Sequence, residues 1–80
     1  MRSEILNETI IDIISEIIKV DSAEIAQDPS SFGLGETDGW DSLVHLEIMT
    51  ALEEEYDIEL SIEDMEATDT AEKILRYFET

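Results

Sequence analysis

Apolar residues recur at helical spacing almost from the start of the chain. Between Ser3 and Lys19, Leu6, Ile10, Ile13, Ile14 and Ile17 fall at i, i+4, i+7, i+8 and i+11, the stripe of an amphipathic helix. Isoleucine also suits strands, but a stripe of this length and spacing predicts helix. Lys19 lies at its C-terminal end, where the helix dipole favours a cation. A second pattern begins at Asp41 or Ser42 and runs to about Tyr56. At about 100° per residue, His45, Ile48, Met49, Leu52 and Tyr56 fall in one sector, and Leu43, Glu47, Thr50 and Glu54 in the opposite one. Asp41 is the predicted N-cap and Asp57 marks the exit. Ser61, with Asp64 three residues later, opens a short third helical segment. Asp69 and Glu72 repeat that spacing before a last helix with Ala71, Ile74, Leu75 and Phe78 as its apolar face and Arg76 in its last turn.

Residues 20–41 form a long connection carrying Pro29, Gly33, Gly35 and Gly39, with capping-box spacing at Asp21 and Glu24 that allows a single helical turn. A structureless loop of this length is unusual in a compact domain unless it has a function. Ile25, Phe32, Leu34 and Trp40 are its apolar residues and are expected to pin it over the helices. The predicted fold is all-α: three main helices plus one short helix in a small bundle, with the long loop between the first and second helices. One domain spans residues 1–80.

Composition narrows what such a bundle can do. Eighty residues give one small core and hardly a deep cleft. No apolar run approaches the roughly 18 residues of a membrane span. Met1 to Ile5 lacks the build of a signal peptide, so a cytoplasmic protein is expected. Twenty-two acidic residues stand against Arg2, Lys19, Lys73 and Arg76, a formal charge of −18. A surface of that sign repels phosphate backbones and anionic lipids, which argues against nucleic acid and membrane insertion and for basic patches on partner proteins. There is no cysteine, so any thiol chemistry has to arrive on an added group.

Candidate chemistry centres on Asp38-Gly39-Trp40-Asp41-Ser42-Leu43. Asp41, Ser42 and His45 crowd one helical turn, but side chains fanning outward from one turn do not make a nucleophile, a base within about 3 Å and an oriented third group. A calcium loop fails on spacing: with Gly39 sixth the twelfth residue is His45, and with Gly33 sixth it is Gly39. His45 points coreward and reads as a packing residue. Ser42 has two readings, a serine that helps satisfy free amides at a helix start, or an accessible hydroxyl that another enzyme modifies. An attached phosphate there would meet a favourable dipole and unpaired amides.

Asp41-Ser42-Leu43 after a glycine-bearing loop, then Leu46-Glu47 and Ala51-Leu52-Glu53-Glu54-Glu55-Tyr56-Asp57-Ile58-Glu59-Leu60, resembles the acyl carrier protein family over nearly the whole chain. The resemblance implies that Ser42 receives 4′-phosphopantetheine from coenzyme A through a separate Mg²⁺-dependent phosphopantetheinyl transferase, with Asp41 positioning the serine for that enzyme. It further implies that the arm's thiol carries acyl groups as thioesters, which accounts for the missing cysteine. Leu43, Glu47, Thr50, Glu53 and Glu54 would face acyl-loading and acyl-processing enzymes with basic docking patches. Leu46, Met49, Leu52, Leu60, Met65, Ala71 and Ile74 would line a shelter for the acyl chain. The protein is expected to be a monomer without catalytic activity of its own. Asp38-Gly39-Trp40 replaces the short aliphatic-glycine-aliphatic lead-in usual in fatty-acid-synthesis carriers, and Thr50 stands where a larger apolar residue is common. Both point to a discrete carrier of specialised biosynthesis.

Two alternatives stay open at this level. A peptidyl or aminoacyl carrier would use the same serine and arm but be loaded by an adenylating enzyme. An acidic interaction adaptor would never be modified. The charge itself makes a prediction: moving from 0.01 M to 0.15 M ionic strength shortens the screening length from about 30 Å to about 8 Å and should raise the melting temperature. Thermal melts at the two ionic strengths check this, and an unchanged midpoint would show that self-repulsion does not limit stability.

Overall fold

The computed structural model describes residues 7–78. They form helices α1 (Glu8–Ile18), α2 (Ser22–Gln27), α3 (Ser42–Tyr56), α4 (Ile62–Ala67) and α5 (Ala71–Tyr77), with a 3₁₀ turn at Pro29–Ser31. This is the expected small all-α bundle, with α2 as a further short helix inside the first connection.

The Asn7 side chain starts α1 by accepting from the amides of Thr9 and Ile10. Residues 3–6 of the expected first helix, Leu6 of its stripe included, lie outside the described residues. Ile10, Ile11, Ile14 and Ile18 are buried, whereas Ile13 and Ile17 are only partly buried. The buried face is therefore wider than the expected stripe and rotated away from it. The cause is that α1 packs against α3, α2 and α5 together and needs apolar side chains on more than one side. Lys19 ends the helix in the left-handed region at φ 64°. The Asn7 amide also donates to the Tyr56 hydroxyl at 3.0 Å, tying the start of α1 to the end of α3.

The long connection is more ordered than its composition implies. Asp21 caps α2 by accepting from the Ala23 amide at 3.1 Å, and Ile25 is fully buried. Asp28 then accepts from the hydroxyls of Ser31 (2.6 Å) and Ser30 (3.0 Å), and those bonds hold its carboxyl below the usual range. Phe32 and Leu34 pack against the core, and Trp40 is buried in it. Gly33 pairs antiparallel with Thr70, flanked by Leu34 N–H to Asp69 O and Ala71 N–H to Phe32 O, each 2.8 Å. That pairing fixes the loop to the start of α5.

It also moves a cap. The expected capping box at Asp69 and Glu72 does not form; Thr70 caps α5 by accepting from the Lys73 amide at 3.1 Å. The bridge holds Thr70 in extended backbone, so the helix starts one residue later, and Asp69 instead pairs with Lys73 across the surface at 3.1 Å. Ser61 and Asp64 do form their reciprocal box and start α4.

Gly33 can be tested directly. A Cβ there would stand 2.8 Å from both Asp69 O and Thr70 Cγ2, and the first of these is backbone that cannot swing aside. Gly33→Ala should cost about 2 kcal/mol, the range for overpacking. In a domain of this size that lowers the melting midpoint by about 10 °C. A midpoint within about 2 °C of wild type would show that the bridge yields without cost.

Candidate functional site

The start of α3 is built from both directions. From upstream, Gly39 at φ 88° turns the chain, and Trp40 is held by its backbone: its amide donates to Thr37 O and its carbonyl accepts from the Gly35 amide, both at 3.0 Å. From downstream, Asp41 caps the helix, its carboxylate accepting from the Val44 amide at 2.9 Å and its carbonyl from the His45 amide at 2.8 Å. Ser42 is thus the first helical residue. Its side chain is exposed, two positions after an indole that is 1% exposed.

His45 anchors the inner side. The Trp40 indole N–H donates to His45 Nδ1 at 3.1 Å, which places the ring proton on Nε2; Nε2 in turn donates to the Met65 carbonyl at 2.9 Å. Both ring nitrogens are therefore occupied, and the ring lies stacked with the indole at a centroid distance of 6.0 Å. His45 is a buried packing residue turned away from Ser42, and Asp41 is engaged by its own helix. The three crowded residues do not converge.

The outer side of α3 carries a shallow open groove lined by Leu43, Leu46, Glu47, Thr50, Ala51 and Glu54. Leu43 is 69% exposed and Leu46 50%. Two expectations need correcting here. Leu46 is expected in the interior as an acyl-chain liner, but it stands on the outer face beside Leu43. The angular signal for this is present in the sequence, since Leu46 lies about 60° from Leu43 around the helix. Glu53 is expected on the outer face, but its carboxylate turns back to accept from the Leu60 amide at 2.7 Å. It closes the turn after α3, where the chain leaves the helix through Asp57 at φ 55° and the Leu60 amide needs an acceptor. Ala51, absent from the expected face, floors part of the groove. Of the other expected liners, Met49, Leu52, Ala71 and Ile74 are fully buried, Leu60 is buried at the core's edge, and Met65 on α4 is half-buried.

Charge is distributed unevenly. No Lys or Arg occurs between Lys19 and Lys73, so α3 and α4 present carboxylates alone. On α5, Lys73 meets Asp69 and Arg76 meets Glu72 at 3.3 Å, both exposed pairs of little energetic weight. The geometry at Ser42 suits an anionic substituent on its hydroxyl. Oγ is open to solvent, the amides of Ser42 and Leu43 belong to the unpaired set at a helix start, and the helix dipole offers its positive end. Among the described residues no helix is long and apolar enough to cross a membrane, and no cluster of side chains is arranged to hold a metal ion.

No solved structure matches this chain. The family model described as a phosphopantetheine attachment site matches residues 8–78, from the first residue of α1 to the residue after α5. That span contains every element described above, and the chain belongs to this family of carrier proteins, whose covalently bound group is 4′-phosphopantetheine.

Proposed function

We propose that this protein is an acyl carrier whose Ser42 holds the phosphopantetheine arm. The observation that carries the reading is the exposed Ser42 hydroxyl at the first position of α3, beside an outer helix face with two exposed leucines among carboxylates. Ser42 Oγ attacks the phosphorus of coenzyme A next to pantetheine, 3′,5′-ADP leaves, and the hydroxyl proton passes to a base on the transferase. When bound, the arm supplies a terminal thiol that holds an acyl group as a thioester. The chain's own contribution is placement. Asp41 starts the helix so that Ser42 faces outward, and the amides at the helix mouth stabilise the phosphodiester charge.

Leu43, Leu46, Glu47, Thr50 and Glu54 form the docking face for the transferase and for acyl-handling enzymes. The apolar pair fits a shallow pocket, and the flanking carboxylates fit a basic rim. Glu53 supports this face from behind by holding Leu60. Met49, Leu52, Leu60, Met65, Ala71 and Ile74 are the residues an acyl chain would have to part to enter the interior. A specialised biosynthetic pathway fits Trp40 and Thr50 better than housekeeping fatty acid synthesis. The exposed acidic face fits a carrier that is acted on by other enzymes.

Incubation with coenzyme A, Mg²⁺ and a promiscuous phosphopantetheinyl transferase should add the mass of one arm to the intact protein and none to Ser42→Ala. An unchanged wild-type mass favours the unmodified adaptor, and a gain that persists in Ser42→Ala moves the attachment elsewhere. Acyl transfer to the loaded arm by an acyltransferase, against aminoacylation by an adenylating enzyme, separates the acyl from the peptidyl carrier.

The two glutamates should behave differently. Glu47→Lys should raise the transferase KM several-fold at low salt with an unchanged melting midpoint. Glu53→Gln should lower the midpoint by about 4–8 °C, the loss of about 1 kcal/mol from a charge-assisted bond. Steady-state kinetics and thermal melts on both variants check this, and an exchange of the two phenotypes would reverse the assignment of faces.

A further inference from the structure

Among the described α-helices, α4 alone has no buried residue. Its six residues are too few for a helix to be stable by itself, so contacts with the bundle must hold it in place. Its best apolar side chain, Met65, is only half-buried, and Ile62 points into solvent. The contacts it does make are largely polar. His45 Nε2 donates to Met65 O at 2.9 Å. The Thr68 hydroxyl, just past the helix, donates to Asp64 O at 2.8 Å and lies 3.5 Å from the Met49 sulfur. The Tyr77 phenol on α5 interacts with the Asp64 carboxylate: desolvation first, and then that neighbouring charge, raise the phenol above its ordinary pKa.

Of these links, the histidine is the one that reaches across the bundle to the attachment loop. Its other nitrogen is committed to the Trp40 indole, two residues before Ser42. A hydrogen bond at each ring nitrogen, buried at Nδ1 and partly buried at Nε2, leaves the side chain one orientation and one tautomer, so the three groups form a single relay: indole N–H, imidazole, carbonyl.

We propose that this relay is a latch: His45 holds α4 shut over Met49 and couples its position to the loop that presents Ser42. His45 is a positioning residue in this role and touches neither arm nor cargo. The inference rests on the carrier reading for its purpose, because α4 is the least anchored wall of the interior an acyl chain would enter. The latch itself is a property of the protein without any arm.

Two variants dissect it. An asparagine side chain reproduces the reach of Nδ1, so His45→Asn keeps an acceptor for Trp40 and loses the donor to Met65. A glutamine side chain reproduces the reach of Nε2, so His45→Gln keeps a donor for Met65. Amide hydrogen exchange on the arm-free protein should show residues 62–67 exchanging about five-fold faster in His45→Asn, the worth of one hydrogen bond, with α1 and α3 unchanged. His45→Gln should restore protection to within about two-fold of wild type, and the emission of the single tryptophan should shift in His45→Asn although that variant keeps the indole's acceptor, which reports the coupling to α4. Unchanged α4 exchange in His45→Asn, or equal acceleration in all helices for both variants, would overturn the latch. If His45→Asn fails to fold, His45→Gln with Tyr77→Phe provides the comparison: loss of the tyrosine tether should loosen α4 modestly while the glutamine-held latch survives, and full release would overturn it. A wild-type protein that takes no arm in the mass measurement sinks the carrier reading and leaves these exchange results standing.

Discussion

The hydrogen bond from the Val44 amide to the Asp41 carboxylate determines where α3 begins, and most of the functional geometry follows from that start. A cap of this kind contributes about 1 kcal/mol. Burial of Ile48, Met49 and Leu52 contributes about 2–3 kcal/mol each, so the apolar seam and not the cap decides which way the helix is turned. The two agree. With Asp41 as N-cap, His45 is the first residue to reach the interior, while Ser42 and Leu43 stand outside it. Turning the helix by one residue would bury Leu43 and push His45 off the Met65 carbonyl, so the seam and the inner hydrogen bonds exclude it.

A chain of this size cannot leave a 22-residue connection idle. It recruits Ile25, Phe32, Leu34 and Trp40 as core, and the antiparallel pairing at Gly33 satisfies backbone groups that the packed loop would otherwise leave without partners. The mount beneath Ser42 is therefore rigid on its upstream side. On the proposed carrier reading such a mount is useful: an arm would supply the motion, and a partner enzyme would meet the serine in surroundings that hold still.

How much of this is legible in the sequence depends on whether local and tertiary demands coincide. At α3 they do: an acidic cap, a clean angular division and a residue able to leave through the left-handed region at Asp57 mark start, faces and end. At α1 the many isoleucines fit more than one stripe, and the number of neighbours, which no local pattern records, selects the broader one. Asp69 has the spacing of a cap, yet the contact that displaces it comes from Gly33, far away in sequence. Leu46 and Glu53 depart from expectation for opposite reasons. Hydrophobicity alone sends the leucine inward against its own angular position. Charge alone sends the glutamate outward, when a nearby unpaired amide at Leu60 has the stronger claim on it. The relay through Trp40, His45 and Met65 is invisible as a pattern, because it joins three elements by single atoms.

The charge distribution bears on why the site is placed at a helix mouth. α3 carries no Lys or Arg, so a phosphodiester on Ser42 would meet no such cation from its own helix among the surrounding carboxylates. What offsets its charge locally is the partial positive end of α3, worth about 0.3–1 kcal/mol at an exposed position. That is enough to make the linkage tolerable and too little to clamp it. A lysine or arginine within reach would hold the arm against the surface and compete with the basic rim of a partner for the same anion. On the proposed carrier reading, with amide dipoles and no cation of α3 itself at its root, an arm on Ser42 would stay free to follow whichever enzyme docks, and the strong cationic contact would be left to the complex.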